Sequence, residues 1–264
     1  MDTNPIKTKI DSLIEDLCSQ TDAAKISAAL QDYLATMSRF HNYSYCNCML
    51  IAMQCPTATQ VAGFHAWHKF NRYVRRGEHG IPILAPIIAK PKDGSEDQPR
   101  VVGFKTAYVF DVSQTDGDPL PEPPDWTSPE KHAELQTRLL ALAASLDIKV
   151  TEAELEGAQG MSMGGKIILD PTAGTKTLVH EIAHELLHRK NRSATTPQRR
   201  EVEAESIAYV VAAYFGLAPT GSANYLALWD ADSKIIKQSL QVIQTTANQI
   251  INHISPTPKP EVTE

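Results

Sequence analysis

Cysteine is scarce, with Cys18, Cys46, Cys48 and Cys55 the only four in 264 residues. Three fall close together, but Cys-x-Cys followed by a lone Cys lacks the paired CxxC spacing of a zinc module, so reduced core or surface thiols are expected. Long apolar runs are missing too. The longest, SIAYVVAAYFGLA at 206–218, falls short of the roughly 20 residues a bilayer span needs. The N-terminus, MDTNPIKTKIDSL, has no apolar stretch after a basic start, and a cytoplasmic protein with no membrane partner is expected. Neither sign of charge dominates: 25 Lys and Arg against 31 Asp and Glu give −6, which argues against a nonspecific polyanion binder. With 42% apolar and 21% charged residues, the composition excludes disorder, collagen-like repeats and a disulfide scaffold.

The clearest shift in composition is SQTDGDPLPEPPDWTSP at 113–129, where Pro, Asp and Gly crowd out any helical or strand period. It suggests an N-terminal domain at 1–115, a Pro-rich linker at 116–129, a second domain at 130–254 and a disordered tail at 255–264. In the first domain Ile6, Ile10, Leu13, Ile14 and Leu17 recur at helical spacing, as do Ile26, Leu30 and Leu34. A short helix is expected over 63–72. IPILAPIIA and VVGFKTAYVFDV look like a long hairpin turning at KPKDGSEDQP. The second domain shows helical patterns at 129–146, 174–190, 198–216 and 232–253, strand candidates at 148–151 and 166–169, and a tight loop at Gly160, Gly164 and Gly165. Both domains are α+β.

TLVHEIAHELLH carries His180, Glu181 and His184. At about 100° per residue, positions four apart differ by only about 40°, so both imidazoles leave one helix face and can reach one cation. Glu181 can instead face a water on that cation, whose pKa zinc lowers to roughly 7. A bare HExxH also arises by chance, but Leu178, Val179, Ile182 and Ala183 make this helix apolar, and buried histidines need polar partners. Glu185 departs from the pattern, a charge where such helices carry an uncharged residue. A third ligand is sought in RREVEAESIAYVVAAYF: Glu201 and Glu205 share a face, whereas Glu203 points about 200° away and suits a solvated face. His188 would close the open position as a fourth ligand, so it is expected to be a supporting or surface histidine.

With these residues on its helices, the second domain resembles the ImmA/IrrE-type metallopeptidases, and more widely the gluzincins. That resemblance implies a zincin-like fold, Zn²⁺ (or another divalent cation such as Mn²⁺) on His180, His184 and Glu201, catalysis by Glu181, and support of a ligand histidine by Glu205. Glu205 stands where the gluzincin pattern has Asp. The first domain resembles the N-terminal domain of ArdC-type antirestriction proteins through Tyr43-Ser44, Asn47, LIAMQCPTATQVAGFHAW, VRRGEHGIPILAP and FDVSQTDGDPLPEP. That family implies single-stranded DNA binding joined to a metalloprotease-like domain, in a mobile-element setting.

The residues bear on that implication. Between Phe64 and Lys92 lie Lys69, Arg72, Arg75, Arg76, Lys90 and Lys92 against Glu78 alone, interleaved with Phe64, Trp67, Phe70 and Tyr73. Cations for phosphates and rings for bases are what single-strand binding requires. The aromatics, at helical spacing, also fit an inward-facing stripe. The expected contacts are Lys69, Trp67, Arg72, Tyr73, Arg75 and Arg76. Two further expectations concern the metallopeptidase side. GKIILD should offer a free strand edge to an extended peptide, with Met161, Met163, Gly164 and Gly165 along the approach. Competing readings are DNA binding with a non-catalytic metal site, and an ImmA-like protease that cleaves a transcription factor.

Overall fold

The computed structural model describes residues 8, 10–12, 14–15, 23–89, 100–120, 129–190, 195–217 and 233–255. Cys18, Lys90, Lys92, the KPKDGSEDQP turn, most of the Pro-rich linker and the tail beyond Ser255 lie outside them. In chain order the elements are α1 (Ala23–Arg39), α2 (Tyr45–Gln54), β1 (Val61–Gly63), α3 (Phe64–His68), β2 (Arg72–Val74), β3 (Ile81–Ala89), β4 (Arg100–Asp111), a 3-10 turn (Val112–Gln114), β5 (Thr115–Gly117), α4 (Pro129–Ser145), β6 (Lys149–Glu152), β7 (Gly160–Ser162), β8 (Lys166–Leu169), α5 (Thr175–His188), α6 (Pro197–Tyr214) and α7 (Ser233–Ile254). The architecture is α+β.

Two compact units emerge, one within 46–120 and the other formed by 23–45 with 129–255. The composition shift alone groups α1 with the N-terminal residues, but α1 packs on α6 and belongs to the second unit.

In the first unit β4 is the central strand of an antiparallel sheet ordered β1-β4-β3, and β2 pairs with β5. The expected hairpin is present: Ile81 faces Val109 and Ile83 faces Ala107, with a register irregularity between Ile87 and Ile88. Ile81, Ile83 and Val109 are buried, as are Cys48, Met49, Leu50 and Ile51 on α2. Asn47 extends the sheet from its side chain, donating to Leu84 O at 2.9 Å and accepting from Leu84 N at 2.9 Å. Cys46, Cys48 and Cys55 stand as thiols, and burial pushes Cys48 well above the usual range, so it serves as a small core residue.

Two sequence expectations change here. The helix expected over 63–72 stops at His68, because Asn71 takes a left-handed φ of 53° and β2 starts at Arg72. The expected linker begins as structure: Thr115–Gly117 is strand, and at Gly117, with φ 141°, a Cβ would lie 2.1 Å from Asn71 O. Only glycine allows that approach.

In the second unit β8 lies between β6, parallel to it, and β7, antiparallel to it. GKIILD therefore has no free edge, and the edge beside the metal-type helix belongs to β7, read from sequence only as loop. Helix α5 packs on α6, α6 also packs on α1 and α7, and α4 contacts α5 and α7. On α7, Ile236, Leu240, Ile243, Ala247, Ile250 and Ile254 form one buried stripe at alternating three- and four-residue steps. Each large side chain so buried contributes roughly 1.5–3 kcal/mol. No helix of the described residues is long and apolar enough to cross a membrane.

His41 follows α1, its ring edge-on to Tyr214 at 4.6 Å and its carbonyl accepting from Gln244 Nε2 at 2.8 Å. Burial pushes its pKa down to about 4. An unfolded histidine takes up a proton near 6.5, so between pH about 6.5 and 4 the unfolded state binds more protons and stability falls as pH is lowered. The His41 contribution is on the order of 3 kcal/mol at the acid end. Denaturant unfolding from pH 7 to 4.5 should show this slope, and His41→Phe should flatten it; an unchanged slope in the variant counts against burial of a neutral imidazole.

Candidate functional site

Helix α5 is apolar around its histidines: Leu178, Val179, Ile182 and Ala183 are buried and fix which face turns inward. His180 Nε2 and His184 Nε2 lie 3.0 Å apart. Glu201 Oε2, from α6, lies 3.4 Å from the first and 3.5 Å from the second. These are the only three metal-capable side chains that converge among the described residues. The fit to a cation can be tested by arithmetic, since a tetrahedron with bonds of about 2.0–2.1 Å has edges of about 3.3–3.4 Å. The three separations bracket that value. Both nitrogens and the carboxylate are lone-pair donors, the set divalent zinc takes in catalytic sites.

Glu205 has the other role. Its Oε2 is 3.3 Å from His180 Nδ1, and its Oε1 is paired with Lys176 Nζ. A carboxylate on Nδ1 fixes the tautomer that turns the Nε2 lone pair toward the cluster. Burial alone would depress His180, but Glu201 and Glu205 hold it up to about 9. Glu201 is held far below the usual carboxylate range, chiefly by His180 and then by His184.

Glu181 is buried beside β7. At Gly160 a Cβ would lie 2.8 Å from Glu181 Oε1, so the missing side chain lets strand and carboxylate touch. Burial raises the Glu181 pKa, against the two imidazoles and the Ser162 N–H that favour its ionised form. A cleft of about 320 Å³ opens here, lined by Gly160, Met161, Glu181, Arg200 and the trio.

Three other residues differ from expectation or complete it. Glu203 is buried, because α7 covers that side of α6; it accepts from Arg199 Nε at 2.8 Å and Ser239 Oγ at 2.7 Å. The solvent-facing carboxylate is Glu201, its side chain 65% exposed. His188 is buried, its pKa pushed down to about 4 by desolvation, and its Nε2 lies 3.8 Å from Glu203 rather than with the trio. Glu185 has a fully buried side chain that accepts from Ser162 Oγ at 2.7 Å, Gly164 N at 2.7 Å and Gly165 N at 2.5 Å. Burial works against its charge, but these donors hold its pKa below the usual range.

The first unit redistributes the expected DNA contacts. Trp67 is core, 2% exposed, its Nε1 donating to Phe110 O at 3.0 Å. Arg72 ties β2 to β5 through Thr115 Oγ1 at 2.8 Å, Thr115 O at 3.0 Å and Gly117 O at 3.3 Å. Arg75 is held by Glu78 at 2.8 Å, Ser113 O at 2.5 Å and Asp116 at 3.5 Å. Lys69, Tyr73 and Arg76 are exposed as expected. Sequence reading missed Phe104 and Tyr108, which alternate along β4 with Thr106 and Phe110 and so share one sheet face. Rings connect across this surface: Phe64 meets Phe110 at 6.1 Å and His68 at 5.5 Å, and His68 meets Tyr73 at 5.1 Å. Tyr73 is 57% and Tyr108 59% exposed, whereas Lys105 and, past the register irregularity, Arg100 belong to the opposite face of β4.

Residues 4–110 match the family model for the N-terminal domain of anti-restriction factor ArdC. Among solved structures the chain is similar to the antirestriction ArdC protein from the R388 plasmid. The metal-free crystal structure shares 15% identity, covering 81% of this chain and 86% of that one, with a TM-score of 0.48. The Mn(II)-bound structure shares 17%, covering 86% and 99%, with a TM-score of 0.47. No protein of curated function matches the chain.

The geometry predicts one divalent cation per chain. Elemental analysis of the purified protein should find it, identify it as zinc or manganese, and show it lost in His180→Ala and in Glu201→Ala. Glu205→Ala should weaken metal affinity by about 10–100-fold without abolishing it, the usual effect of removing a carboxylate behind a ligand histidine. Full metal content in His180→Ala would sink the site.

Proposed function

We propose that this chain acts in antirestriction by binding single-stranded DNA through its N-terminal domain, and that its second domain is a zincin-like, zinc-dependent metallopeptidase; the match of residues 4–110 to the ArdC N-terminal domain supports the first part. The observation that carries the hydrolase reading is the trio of His180, His184 and Glu201 at tetrahedral spacing, with the buried Glu181 beside it in an open cleft. His180, His184 and Glu201 would hold a divalent cation, which would supply Lewis acidity and bring the pKa of a water to roughly 7. Glu181 takes the proton from the attacking water and delivers it to the leaving amine, and the raised pKa that burial gives it suits both transfers. Glu205 and Lys176 keep His180 turned to the trio. An extended peptide pairs with the outer edge of β7, which Gly160 allows to lie directly against Glu181. With His188 turned to Glu203, the fourth position is left to water and substrate, which favours a catalytic over a structural site.

On the other unit, bases stack on Tyr73, Tyr108, Phe104 and Phe64, and phosphates meet Lys69 and Arg76. Arg72 and Arg75 act within the fold and are not counted as contacts.

Glu181→Gln keeps shape and removes the base. Metal content, folding and DNA affinity should stay near wild type, while cleavage of a quenched-fluorescence peptide library should fall by at least about 10²-fold; cleavage persisting in the variant overturns the mechanism. For the DNA surface, a labelled oligothymidylate in an anisotropy titration should lose roughly 1–3 kcal/mol of affinity for each of Tyr73→Ala and Tyr108→Ala. Unchanged binding in both would remove the aromatic face from the interface. If the antirestriction phenotype survives Glu181→Gln and is lost with the tyrosines, DNA occupancy is the working function.

A further inference from the structure

Strand β7 is three residues long, starts with glycine and pairs, among the described residues, with β8 alone. Met161 projects outward, so little apolar burial holds the strand to α5. The hairpin turn after it is Gly164-Gly165, both with positive φ (77° and 96°), closed by Met163 N donating to Lys166 O at 2.8 Å. Two successive amides in such a turn point to one side and make an anion-binding nest. Here the anion is the chain's own Glu185, whose two oxygens take both amides and the Ser162 hydroxyl. A buried carboxylate costs several kcal/mol of desolvation unless its hydrogen bonds are met, so as a mere space-filler this residue would be a poor choice. Its position says more. Glu185 lies one helical turn beyond Glu181, and Ser162 serves both, its hydroxyl on Glu185 and its N–H on Glu181.

We propose that Glu185 is a positioning residue that clamps the β7 and β8 hairpin to α5, setting where a peptide paired with β7 lies relative to Glu181 and the metal ligands. The inference deepens the metallopeptidase reading and rests on it. The Glu185 carboxylate is held by Ser162, Gly164, Gly165 and, at 3.9 Å, Arg189, and bonds to none of His180, His184 and Glu201, so neutralising it should leave the cation and change the edge beside it.

The test uses the full-length, metal-loaded protein and two chelators: acetohydroxamate, which needs only the metal, and an extended peptidyl hydroxamate, which also needs β7. In Glu185→Gln, amide exchange at 160–165 should quicken and the peptidyl compound should bind more weakly, each by roughly 10-fold or more, as loss of charge-assisted hydrogen bonds implies. Acetohydroxamate affinity and metal content should not move. Ser162→Ala should show the same split more weakly, and Ser162→Thr, which restores the hydroxyl, should recover it; this pair carries the test if Glu185→Gln does not fold. Unchanged exchange and peptidyl affinity in folded Glu185→Gln overturn the clamp, as does an equal loss for both chelators. A wild-type protein that holds metal yet binds neither compound overturns the hydrolase reading itself and the substrate role of the clamp with it, whereas the exchange data still report whether Glu185 fastens the hairpin.

Discussion

Two pairs of side chains, each spaced by one helical turn, must meet across the contact between α5 and α6, and the cleft depends on that meeting. His180 and His184 supply one pair, Glu201 and Glu205 the other. Ala183 and Ala204, both completely buried and next in sequence to His184 and Glu205, are small residues that let packed helices come close. The pairs are offset, so His180 receives both acids, one at each ring nitrogen, while His184 receives Glu201 alone. That offset separates a residue that can share a cation from one that can only orient a ring. A bulkier residue at Ala204 would push the helices apart and lose both relations at once.

The carboxylates around the cleft show how burial and partners divide the chemistry. Glu203, Glu185 and Glu205 each lose water and each regain it as protein donors: Arg199 and Ser239 for the first, a serine and two glycine amides for the second, Lys176 and His180 for the third. Glu185 and Glu205 are accordingly held below the usual range. Glu181 is as deeply placed, but the imidazoles and one backbone amide do not make up for its desolvation, and its pKa rises. When neighbouring carboxylates differ in this way, the under-compensated one is the better suited to exchange a proton. The role proposed for Glu181 rests on what its neighbours have and it lacks.

What could be read from sequence was whatever depends on a single element's period. The spacing of His180 and His184, and of Glu201 and Glu205, is a property of one helix each and is legible without a fold. The long hairpin and the helices α4 to α7 are likewise local patterns. Glu203 was misread because its position 200° from Glu201 says nothing about α7, which covers that side. Trp67, Arg72 and Arg75 look like a nucleic-acid surface in one dimension, but Phe110, Thr115 and Asp116 reach them from over 40 positions away. A three-residue strand such as β7 has no period to detect. Glu185 did leave a signal, a charge inside an apolar helix, whose meaning needed the glycine turn folded against it.

The same redistribution bears on how an acidic chain with a net charge of −6 could hold a polyanion. Phosphate affinity scales with the cations free to release counterions, and a guanidinium already bound to Glu78 and Asp116 brings little. Counting Arg72 and Arg75 as structural leaves a thin scatter of positive charge beside a broad connected set of rings. Stacking is indifferent to net charge and, at roughly 1–3 kcal/mol per base, a few contacts suffice for useful affinity. Duplex DNA hides its base faces, so on the proposed reading a surface built this way would favour single strands. Overall acidity would then work as a filter, weakening nonspecific attraction to duplex phosphates and leaving unstacked bases as the feature this face could hold.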